Sequence, residues 1–253
     1  MKKTIILSIS VLLICVLFYF LYKPVYTSKI VEKAAKFSFF IVESVIDYPT
    51  INTHAEIDSI FNTFEKRSFG ELPPYYLQIS KSSHKKYKHR LAKKDYYVIT
   101  RADLIKPVAG NVRVRHLLPV KDVFFKNSIL KNDTLFWLMD KRVVHKLLAL
   151  QIELAKQGYD PNGFEVICGH RYPGYNEQAG GKPHSKHILG EAIDIEVTDL
   201  DKNGKYEKSK DHKIIYDILD KKIIGNKGGL GCYPNSRTLH FDVRGKIARW
   251  NRM

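Results

Sequence analysis

Three side chains, His187, Asp194 and His240, are of the types, and at the spacings, that hold a catalytic metal. The first two belong to the stretch Ser185-Lys186-His187-Ile188-Leu189-Gly190-Glu191-Ala192-Ile193-Asp194-Ile195. After a turn at Gly190, residues 191–197 alternate as a strand does. Ile193, Ile195 and Val197 fall on one face, Ala192 and Asp194 on the other. Near the C-terminus Leu239, Phe241 and Val243 alternate with His240 and Asp242 in the same way. Two such strands side by side bring His187, Asp194 and His240 to one point. Two imidazoles, one carboxylate and a position left open for water make the ligand set of a catalytic zinc ion. Either histidine alone reads as a hydrogen-bonded surface residue; the ordered set is what points to a metal.

The elements that position these residues follow from periodicity and turn signals. Asp133 is expected to cap a helix over residues 134–157, with Leu135, Leu138, Val143, Leu147, Leu150 and Leu154 as its apolar stripe and Gly158 at its end. The Asp160-Pro161-Asn162-Gly163 turn leads into a strand at Phe164–Cys168, which delivers Arg171 at its end. A further helix is expected at 212–222, with Ile214, Ile215, Ile218 and Leu219 as its apolar face. The fold class expected is α+β: an antiparallel sheet with flanking helices holding a zinc site, preceded by a transmembrane helix and a mixed extension. A hydrophobic fraction of 44% suits a packed core.

The pattern S-x-H-x-x-G-x-A-x-D followed by H-x-D resembles the zinc D-Ala-D-Ala carboxypeptidase family of bacterial cell-wall peptidases. That family includes vancomycin-resistance dipeptidases and phage endolysins, and the hedgehog signalling domain shares its zinc fold. The likeness extends to Gly169-His170-Arg171-Tyr172-Pro173 with Asn176, to Gly180-Gly181, to Gly228-Gly229-Leu230-Gly231-Cys232-Tyr233-Pro234 and to Arg249-Trp250. It covers roughly residues 130–253, and so many matches in order are hard to get by chance. The resemblance implies a zinc metallopeptidase acting on peptidoglycan stem peptides, of the D,D-carboxypeptidase or endopeptidase type. It also implies that Arg171 orients substrate or stabilises an oxyanion, tasks that suit a guanidinium. The alternative for Arg171 is a structural salt bridge.

In one respect the chain departs from the family. Many members carry Glu or His three residues before the last ligand; here that position is Arg237, which accepts no proton near neutral pH. Asp242, on the site face of its strand, is the catalytic candidate that remains, as an orienting partner of an imidazole or as a proton acceptor. His184 and His170 are the next candidates for the base. A non-catalytic zinc-containing wall-binding or structural module of the same fold is therefore the alternative function.

The N-terminus reads as a membrane anchor, residues 1–25. An uncharged apolar run from Thr4 to Tyr22 is just long enough to span a bilayer, and no small-residue cleavage site follows it. Residues 26–125 read as a juxtamembrane helical and basic extension, and 126–253 as the zinc peptidase-like domain. The wall substrate implied by the resemblance puts the C-terminal domain on the periplasmic or extracellular side of a single-pass cell-membrane protein. A net charge of +16 predicts attraction to anionic surfaces. Residues 81–94 concentrate basic side chains without an acid; they read first as a solvated, partly mobile face, and second as a patch for anionic polymer or lipid headgroups. No nucleic acid is expected, because no base-stacking or zinc-finger pattern is present. Asp199, Asp201, Asn203 and Gly204 resemble half a calcium loop, but Lys210 stands where its final acid should be, so a polar turn is the preferred reading. Cys168 and Cys232 flank the site in sequence and are open to either reading, a disulfide or free thiols.

Overall fold

The computed structural model describes residues 50–119, 134–233 and 235–251. All of them belong to one compact unit, Pro49–Met253. The anchor expected at 4–22 and the part of the extension before residue 50 lie outside the described residues. Among the described residues no helix is long and apolar enough to cross a membrane.

The architecture is α+β, with antiparallel sheets and helices. Helix α1 (His54–Asn62) starts in a capping box: Thr53 accepts from the Glu56 amide, and the Glu56 carboxylate accepts from the Thr53 amide. Strand β1 (Glu65–Ser68), two short helices α2 (Pro74–Ile79) and α3 (Lys85–Leu91), and strand β2 (Asp95–Thr100) follow. A two-stranded ribbon joins β3 (Pro107–Ala109) to β4 (Val112–Arg113). Val114–Leu117 then closes into a single 3₁₀ turn.

The helix expected over 134–157 is really two elements. Thr134–Trp137 forms β5, and helix α4 runs from Lys141 to Lys156. The aromatic and β-branched run Thr134-Leu135-Phe136-Trp137 favours a strand. Asp140, rather than Asp133, caps the helix by accepting from the Arg142 amide at 2.9 Å. Strand β5 pairs antiparallel with β2, so residues on both sides of position 125 share one three-stranded sheet, β1-β2-β5.

The second sheet holds the site. Strand β6 (Phe164–Cys168) leads into helix α5 (Pro173–Gln178), and then come β7 (Ala192–Val197), β8 (Gly229–Cys232), β9 (Thr238–Asp242) and β10 (Ala248–Trp250). Their order is β10-β8-β9-β7-β6; β10 runs parallel to β8 and every other pair is antiparallel. Between β7 and β8, α6 (Lys213–Ile218) lies between two π-helical turns, Lys208–His212 and Leu219–Ile224. Ile193, Ile195, Val197, Leu239 and Phe241 are fully buried on one face, as the alternation predicts.

The extension does more than precede the site. Phe69, Leu72, Tyr76, Tyr87, Leu91, Tyr96, Val98, Phe136 and Leu138 form a core cluster that also takes in Ile188 and Leu189. These last two follow His187 in its turn, and burying such side chains stabilises by about 1.5–3 kcal/mol each. The cluster therefore anchors the turn that carries a candidate metal ligand. Tyr87 and Leu91, one helical turn apart, also dock α3 by its inner face. The basic segment is thus a packed helix with an outward cationic face, not a loose one.

Candidate metal centre

Strand register lines up the site. Cys168 pairs with Asp194, Asp194 with His240, His240 with Gly231, and Gly231 with Trp250, so one row crosses all five strands. Paired residues in adjacent strands project to the same face. Gly231 is the gap in the row: a Cβ there would collide with the Trp250 indole, whose ring lies 5.0 Å from that of His240. His187 reaches the row from the single turn Lys186–Leu189, which ends at Gly190 in the left-handed region, φ +64°. The turn is tied down by the Arg171 amide donating to the His187 carbonyl at 3.1 Å, and by the Asp140 amide donating to the Gly190 carbonyl at 3.0 Å.

Three potential ligand atoms meet. His187 Nε2 lies 3.1 Å from Asp194 Oδ1 and 3.1 Å from His240 Nδ1, and His240 Nδ1 lies 2.8 Å from Asp194 Oδ1. All three residues are buried. The far side of each imidazole is already engaged. His187 Nδ1 donates to the Gly169 carbonyl at 2.6 Å, and His240 Nε2 donates to Asp242 Oδ2 at 3.1 Å. These contacts turn His187 Nε2 and His240 Nδ1 towards the meeting point, as metal-ligating histidines require. The donor set fits a metal ion: two imidazole nitrogens and one carboxylate oxygen, with the second oxygen, Oδ2, held by Arg171 Nη2 at 2.5 Å. His187, Asp194 and His240 can together hold a metal ion.

Without a metal the same atoms share protons. Burial alone would push His187 down, but the Asp194 carboxylate and its hydrogen bond outweigh burial and raise it to about 10. Burial likewise opposes ionisation of Asp194, yet His187 and His240 hold it well below the usual carboxylate range. In linkage terms, His187 gives the metal-free fold stability that is complete below the ordinary histidine value near 6.5 and is lost as pH rises through about 10.

Of the residues singled out from sequence, the structure gathers His187, Asp194, His240, Arg171 and Asp242. Arg171 makes the salt bridge to Asp194, and its Nε donates to Cys168 Sγ at 2.9 Å. Asp242 sits behind His240, away from the meeting point, and is fully buried. Its carboxylate accepts from the Gly229 amide at 2.9 Å, and from Arg244 Nε at 2.8 Å and Nη2 at 2.5 Å. Of the two roles open to it, this geometry is that of the orienting partner. Asp242→Asn is expected to weaken metal affinity by about 10- to 100-fold, read by competition with a chromophoric chelator; unchanged affinity would make the residue merely structural. Arg237 is exposed, with its guanidinium 4.3 Å above the Tyr206 ring. His184 is exposed, and no contact joins it to the centre. His170 is buried beside His187, and burial pushes it down to about 3, so it stays neutral.

Two contributors were not assigned a role from sequence. Tyr233 places its hydroxyl 3.4 Å from Asp194 Oδ1 from a partly exposed position, and burial and Asp194 push its pKa up, keeping the hydroxyl protonated. Arg244 clamps Asp242 and lies over the Trp250 ring at 5.5 Å. The signal for Arg244 was the alternation His240-x-Asp242-x-Arg244; for Tyr233 no spacing rule was available, because a loop delivers it.

The other acidic group behaves as a turn. Asp199, Asp201 and Asp211 bring carboxylate oxygens within 4.8 Å of one another. Asp199 accepts from the Asn203 and Gly204 amides, Asp211 from those of Leu200 and Glu207, and Asp201 pairs with Lys210. Cys168 and Cys232 are both free buried thiols. Compared with protein-family models, with characterised proteins and with solved structures, the chain matches none.

Proposed function

We propose that the protein is a membrane-anchored zinc metallopeptidase that hydrolyses peptide bonds in peptidoglycan stem peptides. The observation that carries this reading is the meeting of His187 Nε2, Asp194 Oδ1 and His240 Nδ1, each imidazole oriented from behind, in the residue order S-x-H-x-x-G-x-A-x-D…H-x-D. Three protein donors leave a tetrahedral ion one open position. A zinc ion held there would acidify water and polarise a carbonyl. Arg171 keeps Asp194 Oδ2 occupied so that Oδ1 faces the ion, and its fixed positive charge favours a developing oxyanion nearby. Tyr233, reaching in from the solvent side, offers a hydroxyl donor to a substrate carbonyl. The anchor at residues 4–22 and an extracytoplasmic location belong to the same reading.

A second reading, a zinc-containing wall-binding module without turnover, is favoured by one feature: the residue at the usual base position, Arg237, is a cation turned towards Tyr206. Mass spectrometry of purified muropeptides incubated with the protein, with and without a chelator, tests the proposal. Chelator-sensitive loss of a residue or cross-link supports hydrolysis. Intact muropeptides with zinc bound would leave the second reading. Because Arg237 takes no part in proton transfer, Arg237→Ala is expected to leave the cleavage rate unchanged in the same assay; a collapse in rate would assign it to the site.

A further inference from the structure

A cavity lies against helix α4, at the other end of β6 from the metal centre. Asn162 precedes the first residue of β6, whereas Cys168, in the metal row, ends it. Leu148, Gln151, Ile152 and Ala155, at helical spacing i, i+3, i+4 and i+7, form one wall of a cavity of about 330 Å³. Thr50, Asn52, Gly110, Asn111, Pro161 and Asn162 form the rest.

The cavity is built rather than incidental. Ile51 and Gly110 exchange backbone hydrogen bonds at 3.2 and 2.7 Å, which pins the Thr50–Asn52 segment against the Gly110–Asn111 turn. Gly110 adopts φ +51°, and a Cβ there would fall 2.7 Å from both amide atoms of Gln151. Any other residue at 110 would fill the space over that amide. Gln151 is 95% buried (5% exposed), yet its Oε1 has no hydrogen-bond partner. A buried acceptor left unmade costs about 1–3 kcal/mol, a cost that a ligand donor would remove. The exposed side-chain amides of Asn111 and Asn162 also line the cavity.

The lining sets the ligand chemistry. Charged residues make up 27% of the chain, but none of the ten lining residues is ionisable. An uncharged lining favours a neutral ligand, since a charged one would lose its hydration without a partner. Amide side chains offer both donors and acceptors, which suits hydroxyl groups of either polarity. Ile152, 47% exposed, with Ala155 and Pro161, supplies an apolar floor for a C–H face or a methyl group. The volume lies at the small end of the range for ligand pockets, about 300–1,000 Å³. We infer that this cavity binds a neutral acetamido sugar, whose amide N–H meets Gln151 Oε1 and whose methyl and ring face lie on the α4 stripe. The inference stands whether or not the metal centre hydrolyses peptides.

Saturation-transfer NMR on the full-length protein, in a detergent without a sugar headgroup, tests it with N-acetylglucosamine and its β-1,4-linked trimer. Saturable binding is expected, led by the acetamido methyl signal, and weaker with the corresponding glucose oligomer. Gln151→Ala should weaken it about tenfold or more. Should Gln151→Ala fail to fold in a thermal melt, the exposed pair Asn111→Ala with Asn162→Ala carries the decision, with the same loss expected. No saturable binding of either acetamido sugar would overturn the inference. So would equal affinity in the folded variants, or preferential binding of a neutral capped dipeptide.

Discussion

His187→Ala and His240→Ala are each expected to strip the protein of zinc. Each removes one of three donors and leaves Asp194, buried to 2% exposure, with one imidazole fewer. Losing a direct ligand should exceed the about 10- to 100-fold cost of losing an orienting partner. With zinc at a hundred times its dissociation constant, bound metal adds about 2.7 kcal/mol to the wild-type fold. For a domain of this size that is a melting-temperature difference of about 5–10 °C. The difference should shrink in chelator, where only the lost hydrogen bonds remain. Differential scanning calorimetry with zinc and with chelator reads both; a gap that chelator does not narrow would mean that metal contributes nothing to stability.

Gly190→Ala is expected to damage the fold more than any surface change. Gly190 lies between His187 and Asp194, at φ +64°, and an added Cβ would run into the Leu138 carbonyl. A non-glycine residue in such a conformation costs about 1–3 kcal/mol, and overpacking against fixed backbone a further 1–3 kcal/mol. A loss of about 2–6 kcal/mol is therefore expected, seen as a lower denaturant midpoint with unchanged slope. A shift worth under about 1 kcal/mol would show that the turn adapts, and that the close packing of ligand turn on extension is not what fixes His187.

The sequence made the site more legible than its setting. Alternation in 191–197 and 239–243 placed Asp194 and His240 on one sheet face, because strand periodicity is local and survives any topology. The turn at Gly190 was legible for the same reason. What stayed hidden was long-range: that β5 leaves the presumed helix to pair with β2, and that Leu138, Tyr87 and Leu91 join the cluster around Ile188 and Leu189. Helix and strand patterns look alike over four apolar residues, and only the partner strand settles Thr134–Trp137. The burial of Asp242 was likewise unreadable, since alternation put it on the site face but not behind His240 in the grip of Arg244. The anchoring role of the extension depends on contacts between residues about a hundred positions apart, which no local pattern encodes.

The three donors are expected to take up zinc in exchange for a proton. At neutral pH the metal-free centre holds a proton on His187, raised to about 10 by Asp194. Zinc bound to the same Nε2 must displace it. Titration calorimetry of zinc into metal-free full-length protein, in two buffers of different ionisation enthalpy near neutral pH, counts both ions. One zinc bound per chain with about one proton released, and neither in His187→Ala, is the predicted result. Absence of stoichiometric zinc uptake, or uptake undiminished in His187→Ala, would contradict it.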